Sequence, residues 1–227
     1  MSRIIVFGGH GRVALLLAPL LVKGGDEVTA VIRNPDHVAD VEKTGATALV
    51  ADIETMDTAS LAGIIRGHDA VVWSAGAGGG SAERTYAVDR DAAIRTMDAA
   101  AEAAVSRYVM VSWLGSTADH GVPEDDSFFA YADAKWAADE YLRGTALEGT
   151  ILGPGTLTLD APTGRIDLDA PDRGAVSRAM WPRSLLRRCM SRRQSAAQSG
   201  SATARTSRLS RSLKLSPAEA VRALRVL

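Results

Sequence analysis

Apolar residues along the first 160 positions fall into two alternating kinds of segment. The first kind is a short, continuous apolar run rich in β-branched residues, and the second is a longer stretch whose apolar positions recur every three or four residues. Continuous runs indicate strands that are buried on both faces, whereas the longer stretches indicate helices with one apolar face. Strands that alternate with helices predict right-handed βαβ units around a parallel sheet.

This pattern predicts six strands and five helices. The predicted strands are Ile4–Phe7, Val28–Ile32, Ala48–Ala51, Ala70–Trp73, Tyr108–Val111 and Thr150–Leu152. The predicted helices are Val13–Lys23, Pro35–Lys43, Thr58–Arg66, Glu83–Ala104 and Phe128–Leu147. Together they predict an α/β fold with a doubly wound parallel sheet.

Composition narrows the class of protein. The chain has 227 residues, of which 46% are hydrophobic, and this is enough for a sizeable core and excludes a largely disordered chain. A single cysteine excludes a disulfide framework and a cysteine-based metal cluster. No apolar run reaches the length of a membrane span, and no signal-peptide pattern is present, so we expect a soluble, cytoplasmic protein that does not bind a membrane.

The formal net charge of −1 hides two opposed regions. Residues 1–172 carry twice as many acidic as basic side chains, whereas residues 173–227 carry a single acid, Glu219. The segment 173–215 is rich in serine and arginine and shows no clear strand, and Ser216 with Glu219 forms a capping-box pattern. We therefore divide the chain into a predicted domain 1–172, a basic Ser/Arg-rich segment 173–215 and a predicted C-terminal helix 216–227.

The strongest motif is a glycine-rich loop between the first predicted strand and the first predicted helix. It reads Gly8-Gly9-His10-Gly11-Arg12-Val13-Ala14. Glycines permit a tight turn and let backbone N–H groups approach a pyrophosphate, and the start of the helix adds a partial positive charge. The loop therefore predicts a dinucleotide site that includes Gly8, Gly9, His10, Gly11, Arg12 and Val13.

The end of the second predicted strand bears on the choice of cofactor. Arg33 stands 22 residues beyond Gly11, near the position where an acid would hold the ribose of NAD and an arginine would hold the 2′-phosphate of NADP. The nearest acid, Asp36, follows Pro35 and fits the start of the next helix. The sequence therefore favours NADP(H), with NAD(H) as the alternative, unless Arg33 is only a solvated surface charge.

Two further strand ends supply candidate cofactor contacts. Asp52 and Ile53 follow the third strand, where they either hold the adenine or form a turn. Ser74, Ala75 and Gly76 follow the fourth strand, and small side chains there leave room for the nicotinamide ribose.

Candidate catalytic residues lie between the fifth and sixth strands. Tyr131 and Lys135 are four residues apart and share one helix face. A lysine ammonium beside a tyrosine lowers the phenol pKa, so that the tyrosine exchanges a proton with a substrate oxygen, and Lys135 also anchors the nicotinamide ribose. Ser112, at the end of the fifth strand, is a candidate second donor to that oxygen.

Taken together, these motifs and the late Gly153-Pro154-Gly155 resemble the short-chain dehydrogenase/reductase superfamily. The similarity is greatest to its atypical NAD(P)-binding branch, which includes biliverdin/flavin-reductase-like and NmrA-like proteins, and it covers about residues 1–179. The resemblance implies a Rossmann-like domain with a Ser/Tyr/Lys reductase site. Trp113 and Gly153 depart from the pattern of that branch, which often has a hydroxyl residue and an arginine at these positions.

The function that follows is an NAD(P)H-dependent reductase of a small carbonyl, quinone or flavin-like substrate. The alternatives are an NADP-sensing regulator without turnover, as in NmrA-like proteins, and a sugar-nucleotide epimerase or dehydratase. The four histidines are scattered without ligand spacing, so no metal site is predicted. We expect a monomer or homodimer.

Three interpretations of the basic segment remain open. It binds nucleic acid or an anionic surface, it is an arm without a partner, or it is a displaced reading frame. Read one base earlier, the codons of Ala179–Pro182 allow an Asp-Val-Ala sequence that is typical of the resembling family at this point. We therefore favour two compensating frame changes, near residues 179 and 210–215, and regard nucleic-acid binding as the weakest interpretation.

Overall fold

The computed structural model describes residues 1–155, 157–158 and 176–177. Six strands in the first unit, residues 1–153, form one sheet. They are β1 (Arg3–Phe7), β2 (Glu27–Ile32), β3 (Thr47–Val50), β4 (Ala70–Trp73), β5 (Arg107–Val111) and β6 (Glu148–Leu152). All neighbouring strands are parallel and their order is β3-β2-β1-β4-β5-β6. The prediction of a doubly wound, Rossmann-like sheet is confirmed.

The apolar runs form the centre of the sheet, as their composition predicts. All four residues of β4 are buried, and so are four of the five residues of β1. Phe7 and Trp73 end these two strands with their ring centroids 5.9 Å apart. Burial on both faces requires helices on both sides of the sheet, and this is why the strands lack the alternation of a half-exposed sheet.

Six α-helices are described around this sheet. They are α1 (Arg12–Lys23), α2 (Val38–Glu42), α3 (Thr58–Ile65), α4 (Ala82–Thr85), α5 (Ala93–Glu102) and α6 (Phe129–Gly144). A 3₁₀ turn, Pro35–His37, precedes α2, and a π-helical segment, Tyr86–Ala92, joins α4 to α5.

Two predicted helices differ from the structure in detail. The predicted helix Pro35–Lys43 begins as the 3₁₀ turn because the Asn34 side chain accepts a hydrogen bond from the Asp36 N–H at 3.0 Å. The predicted helix Glu83–Ala104 is widened in its middle by the π-helical segment. Such wide turns occur frequently at functional sites.

The second unit, residues 154–227, is described only in part. Strands β7 (Leu157–Thr158) and β8 (Val176–Ser177) pair in parallel. The rest of the Ser/Arg-rich segment 173–215, the predicted helix 216–227 and the proposed frame changes lie outside the described residues. In the part of the chain that is described, no helix is long and apolar enough to cross a membrane.

Candidate functional site

The glycine-rich loop lies where the order of the strands reverses. Because β1 and β4 are neighbours whose connections leave in opposite directions, their carboxyl ends border the crevice in which such folds bind ligands. Gly8 has φ +79°, and a Cβ there would lie 2.6 Å from the backbone of Ala75. At Gly9 a Cβ would lie 2.6 Å from the Cβ of Ala30. Only glycines permit this close approach of the loop after β1 to the loop after β4, at Gly8, and to β2, at Gly9.

The start of α1 fits a phosphate group. Gly11 is the N-cap and supplies no side-chain hydrogen bond, and the first turn contains no acidic residue. The N–H groups of the first turn and the positive end of the helix dipole therefore face the crevice without a side-chain competitor. Ala14 is buried against the sheet, as close packing of helix and strand requires. This arrangement fits the pyrophosphate of a dinucleotide.

His10 has a contact that its position in the loop did not suggest. Its ring stacks on that of His37, with centroids 3.6 Å apart and planes 13° apart. Its Nε2 lies 3.5 Å from an oxygen of Asp40. His10 thus ties the loop after β1 to the segment after β2, while Arg12, two residues on, is exposed.

Arg33 is paired in the structure with Glu54, a residue that the sequence did not single out. The Arg33 Nη1 lies 2.6 Å from Glu54 Oε1, and the Arg84 Nη2 lies 2.7 Å from the same oxygen. The hydrogen bond from Arg84 holds the pKa of Glu54 below its ordinary value. The Arg33 side chain is still 55% exposed. It remains accessible to a phosphate group, but with a carboxylate as competitor.

Asp52 and Ile53 have structural contacts in the turn after β3. The Asp52 carboxylate accepts a hydrogen bond from the Glu54 N–H at 3.1 Å, and its carbonyl accepts one from Thr55. Ile53 packs against the core cluster. These contacts favour the turn interpretation for Asp52, and its contact with an adenine stays a prediction.

The residues after β4 border the crevice on its other side. The Ser74 N–H donates to the Phe7 carbonyl at 2.9 Å, and Ala75 packs against the core. At Gly76 a Cβ would lie 2.9 Å from Asp89 Oδ1. The small residues after β4 therefore leave space for the buried carboxylate of Asp89 and for a ligand in the crevice.

Tyr131 and Lys135 lie on one face of α6, as their spacing predicts. Lys135 is 1% exposed, and its Nζ donates to the Met110 Sδ at 3.3 Å. Burial lowers the pKa of Lys135, against the opposing influence of Asp139 and Asp89. Burial raises the pKa of Tyr131, and the charges of Asp89 and Asp139 raise it further. Tyr131 is therefore held in its protonated form, and the lowered phenol pKa expected from Lys135 is not found.

Asp89 joins this pair from the π-helical segment. It is 2% exposed and accepts a hydrogen bond from the Ala77 N–H at 2.9 Å. Burial raises the pKa of its carboxyl. Asp89 and Tyr131 both line a cavity of about 680 Å³ between residues 76–80 and 126–131. This cavity is of the size that small-molecule sites have.

Ser112 has an acceptor other than a substrate oxygen. Its Oγ donates to Asp139 Oδ2 at 2.5 Å, and the Ser116 Oγ donates to the same atom at 2.6 Å. Asp139 is completely buried, and burial raises the pKa of its carboxyl. The role of Ser112 as a donor to substrate stays a prediction.

The sequence analysis did not single out Glu54, Arg84, Asp89 and Asp139, which the structure brings next to predicted site residues. Asp139 had a detectable signal, since it follows Lys135 by four residues on the same helix face. The other three are brought to the site by contacts between distant segments. Among the described residues, no group of three histidine, cysteine, aspartate or glutamate side chains is arranged to hold a metal ion.

Comparison with known proteins agrees with this geometry. The NAD(P)H-binding family matches residues 8–185. The uncharacterized sugar epimerase YhfK of Bacillus subtilis is 31% identical over 179 residues, which are 78% of this chain and 82% of YhfK.

Solved structures agree as well. A candidate NAD-dependent epimerase/dehydratase from Bacillus halodurans has a TM-score of 0.73 at 28% identity, covering 81% of this chain and 85% of that one. ChuY, an anaerobilin reductase from Escherichia coli O157:H7, has a TM-score of 0.62 at 26% identity, covering 78% of this chain and 85% of its own. The glycine loop, the strand order and the extent of the family match lead to one conclusion: the chain belongs to the NAD(P)H-binding family.

Proposed function

We propose that the protein is an NAD(P)H-dependent reductase that prefers NADP(H) and acts on a small carbonyl, quinone or flavin-like substrate. The observation that supports this most is the position of Tyr131 on the wall of a cavity, one helical turn from a fully buried Lys135. The glycine loop and the start of α1 would hold the pyrophosphate, and Arg33 the 2′-phosphate. When bound, the cofactor supplies a hydride, and the protein has to supply a proton.

Tyr131 is the proposed proton donor. Its raised pKa keeps the hydroxyl protonated at neutral pH, which suits a group that gives a proton to a substrate oxygen as the hydride is added. Lys135, in its charged form, would stabilise the phenolate that remains and would hold the nicotinamide ribose. The burial of Lys135 would strengthen the attraction between phenolate and ammonium, because little water screens the ammonium there.

A sugar-nucleotide epimerase is the second candidate, favoured by the names of YhfK and of the Bacillus halodurans protein. An epimerase restores its cofactor in each turnover, whereas a reductase consumes NADPH. Net oxidation of NADPH in the presence of substrate therefore separates the two. Tight NADPH binding without turnover on any substrate would instead identify a sensor.

The decisive experiment measures NADPH oxidation with a panel of quinones, flavins and aldehydes, in wild type and in Tyr131→Phe. We expect the substitution to lower kcat by about 10²–10⁴-fold, the contribution of a general acid, while NADPH affinity is retained. Tyr141→Phe is the matched control, because Tyr141 lies on the same helix and its hydroxyl donates to Asp98 at 2.6 Å, away from the cavity. Full activity in Tyr131→Phe, or an equal loss in Tyr141→Phe, would contradict the assignment.

A further inference from the structure

Asp139 is a charged residue in an environment that disfavours charge. It lies on α6, two turns beyond Tyr131 and one beyond Lys135, and is completely buried. Its Oδ2 accepts the hydroxyls of Ser112 and Ser116, whereas its Oδ1 is buried and has no hydrogen-bond partner among the described residues. A buried carboxylate is costly unless its charge is compensated nearby.

The positive charge of Lys135 is also disfavoured by its burial. The described residues give its Nζ one hydrogen bond, to the sulfur of Met110 on β5, and a thioether is a weak acceptor. A fully buried ammonium loses its proton readily unless negative charge is close. The titratable groups that act on it are Asp139 on its own helix and Asp89 on the π-helical segment.

The two carboxylates are not equivalent. Asp89 accepts the backbone N–H of Ala77 and faces the cavity, where a ligand would change its surroundings. Asp139 is not among the residues that line the cavity, and two hydroxyl donors at 2.5 and 2.6 Å support its ionised form. A serine hydroxyl has a single proton to donate, so neither Ser112 nor Ser116 can donate to a substrate while it donates to Asp139.

We propose that Asp139 is a positioning residue: its carboxylate keeps Lys135 charged inside the protein and holds the hydroxyls of Ser112 and Ser116, which leaves Tyr131 as the proton donor of the cavity. The effect on Lys135 follows from the burial of the two side chains one helical turn apart, and it does not depend on the reductase function. The consequence for proton transfer rests on the proposed reductase function. The two parts are tested by different measurements.

The charge of Lys135 can be followed directly by NMR. The chain has four lysines, Lys23, Lys43, Lys135 and Lys214, so the side-chain nitrogen spectrum of ¹⁵N-lysine-labelled protein is simple, and Lys135→Arg assigns the signal. We expect the Lys135 signal to titrate at lower pH in Asp139→Asn than in wild type. Ser116→Ala is the matched control, since it keeps the carboxylate and the Ser112 hydroxyl that supports its charge, and its midpoint should lie much closer to that of wild type.

Three results would overturn the proposal. One is an unchanged Lys135 midpoint in a folded Asp139→Asn protein, and another is a shift in Ser116→Ala as large as that in Asp139→Asn. The third is a wild-type Lys135 signal that corresponds to a neutral amine at neutral pH, and this observation decides the matter even if Asp139→Asn does not fold.

The kinetic arm tests the second part. The high-pH limb of kcat, which follows the loss of charge from Lys135, should move to lower pH in Asp139→Asn by the same amount as the NMR midpoint. A midpoint that moves while the kcat profile does not would refute the consequence for proton transfer. If wild type binds NADPH but turns over no substrate, the reductase function fails, while the NMR titration still decides the role of Asp139 toward Lys135.

Discussion

The close approach of the loops after β1 and β4 gives a prediction whose size can be worked from the structure. Replacing Gly8 by alanine has two costs. The φ of +79° puts an L-residue in the left-handed region, which costs about 1–2 kcal/mol, and the added Cβ would lie 2.6 Å from the Ala75 backbone. Backbone atoms cannot turn aside as a flexible side chain would, so the loops must separate.

Gly25 provides the matched control. Its φ is +87°, but nothing lies within 4 Å of a Cβ built there. Gly25→Ala therefore has the same backbone strain without the steric clash, offset by about 0.4–1 kcal/mol because alanine restricts the unfolded chain. We expect a net loss of about 1 kcal/mol for Gly25→Ala, and of about 3 kcal/mol for Gly8→Ala once overpacking is added.

The assay is urea unfolding followed by circular dichroism, supported by thermal unfolding. For a domain of this size, the expected falls in Tm are about 3 °C for Gly25→Ala and roughly 6–12 °C for Gly8→Ala. Gly8→Ala should also weaken NADPH binding, because the separated loops no longer shape the crevice. Equal losses of stability in the two variants would refute the reasoning, since they would show that the contact with Ala75 contributes nothing.

Two other predictions concern charged residues of the site. Arg33→Ala should weaken NADPH binding by about 10–100-fold, the contribution of a charge-assisted hydrogen bond, and leave NADH binding unchanged. Glu54→Gln should strengthen NADPH binding, because it removes the carboxylate that competes for Arg33. Fluorescence titration measures both effects. Equal responses of NADH and NADPH would contradict this selectivity. Burial raises the pKa of Asp89, so the folded protein holds that proton more tightly than the unfolded chain. The free energy of unfolding should therefore fall as pH rises above about 4, the ordinary pKa of an aspartate. Urea unfolding at successive pH values should show a shallower fall in Asp89→Asn. A slope unchanged by Asp89→Asn would show that another group is responsible.

Much of the fold could be predicted from the sequence because local pattern and tertiary environment agree. The runs around Ile4–Phe7 and Ala70–Trp73 are continuous apolar segments, and the structure buries them in the centre of the sheet. The glycine loop was predictable because a tight turn and a close approach of two backbones both require residues without a Cβ. The spacing of Tyr131 and Lys135 placed them correctly on one helix face.

The remaining features depend on which distant segments meet. The partner of Arg33 is 21 residues away in another strand connection, and no local pattern relates it to Glu54. Asp89 stands in a stretch whose sequence is typical of a regular helix, and its buried hydrogen bond with the Ala77 N–H joins segments 12 residues apart. The direction of the Ser112 hydroxyl depends in the same way on Asp139, 27 residues later.

The π-helical segment Tyr86–Ala92 also affects how this chain is compared with others. Each residue of a helix turns the chain by about 100°, so a wide turn that holds one extra residue leaves the faces of α4 and α5 out of phase by that angle. A single heptad-like pattern drawn through residues 82–102 would therefore assign the wrong side of the helix to one of its halves. An alignment with a protein whose corresponding helix is regular should therefore carry a one-residue gap next to Asp89. Without that gap, the alignment would pair cavity-facing residues of one protein with surface residues of the other.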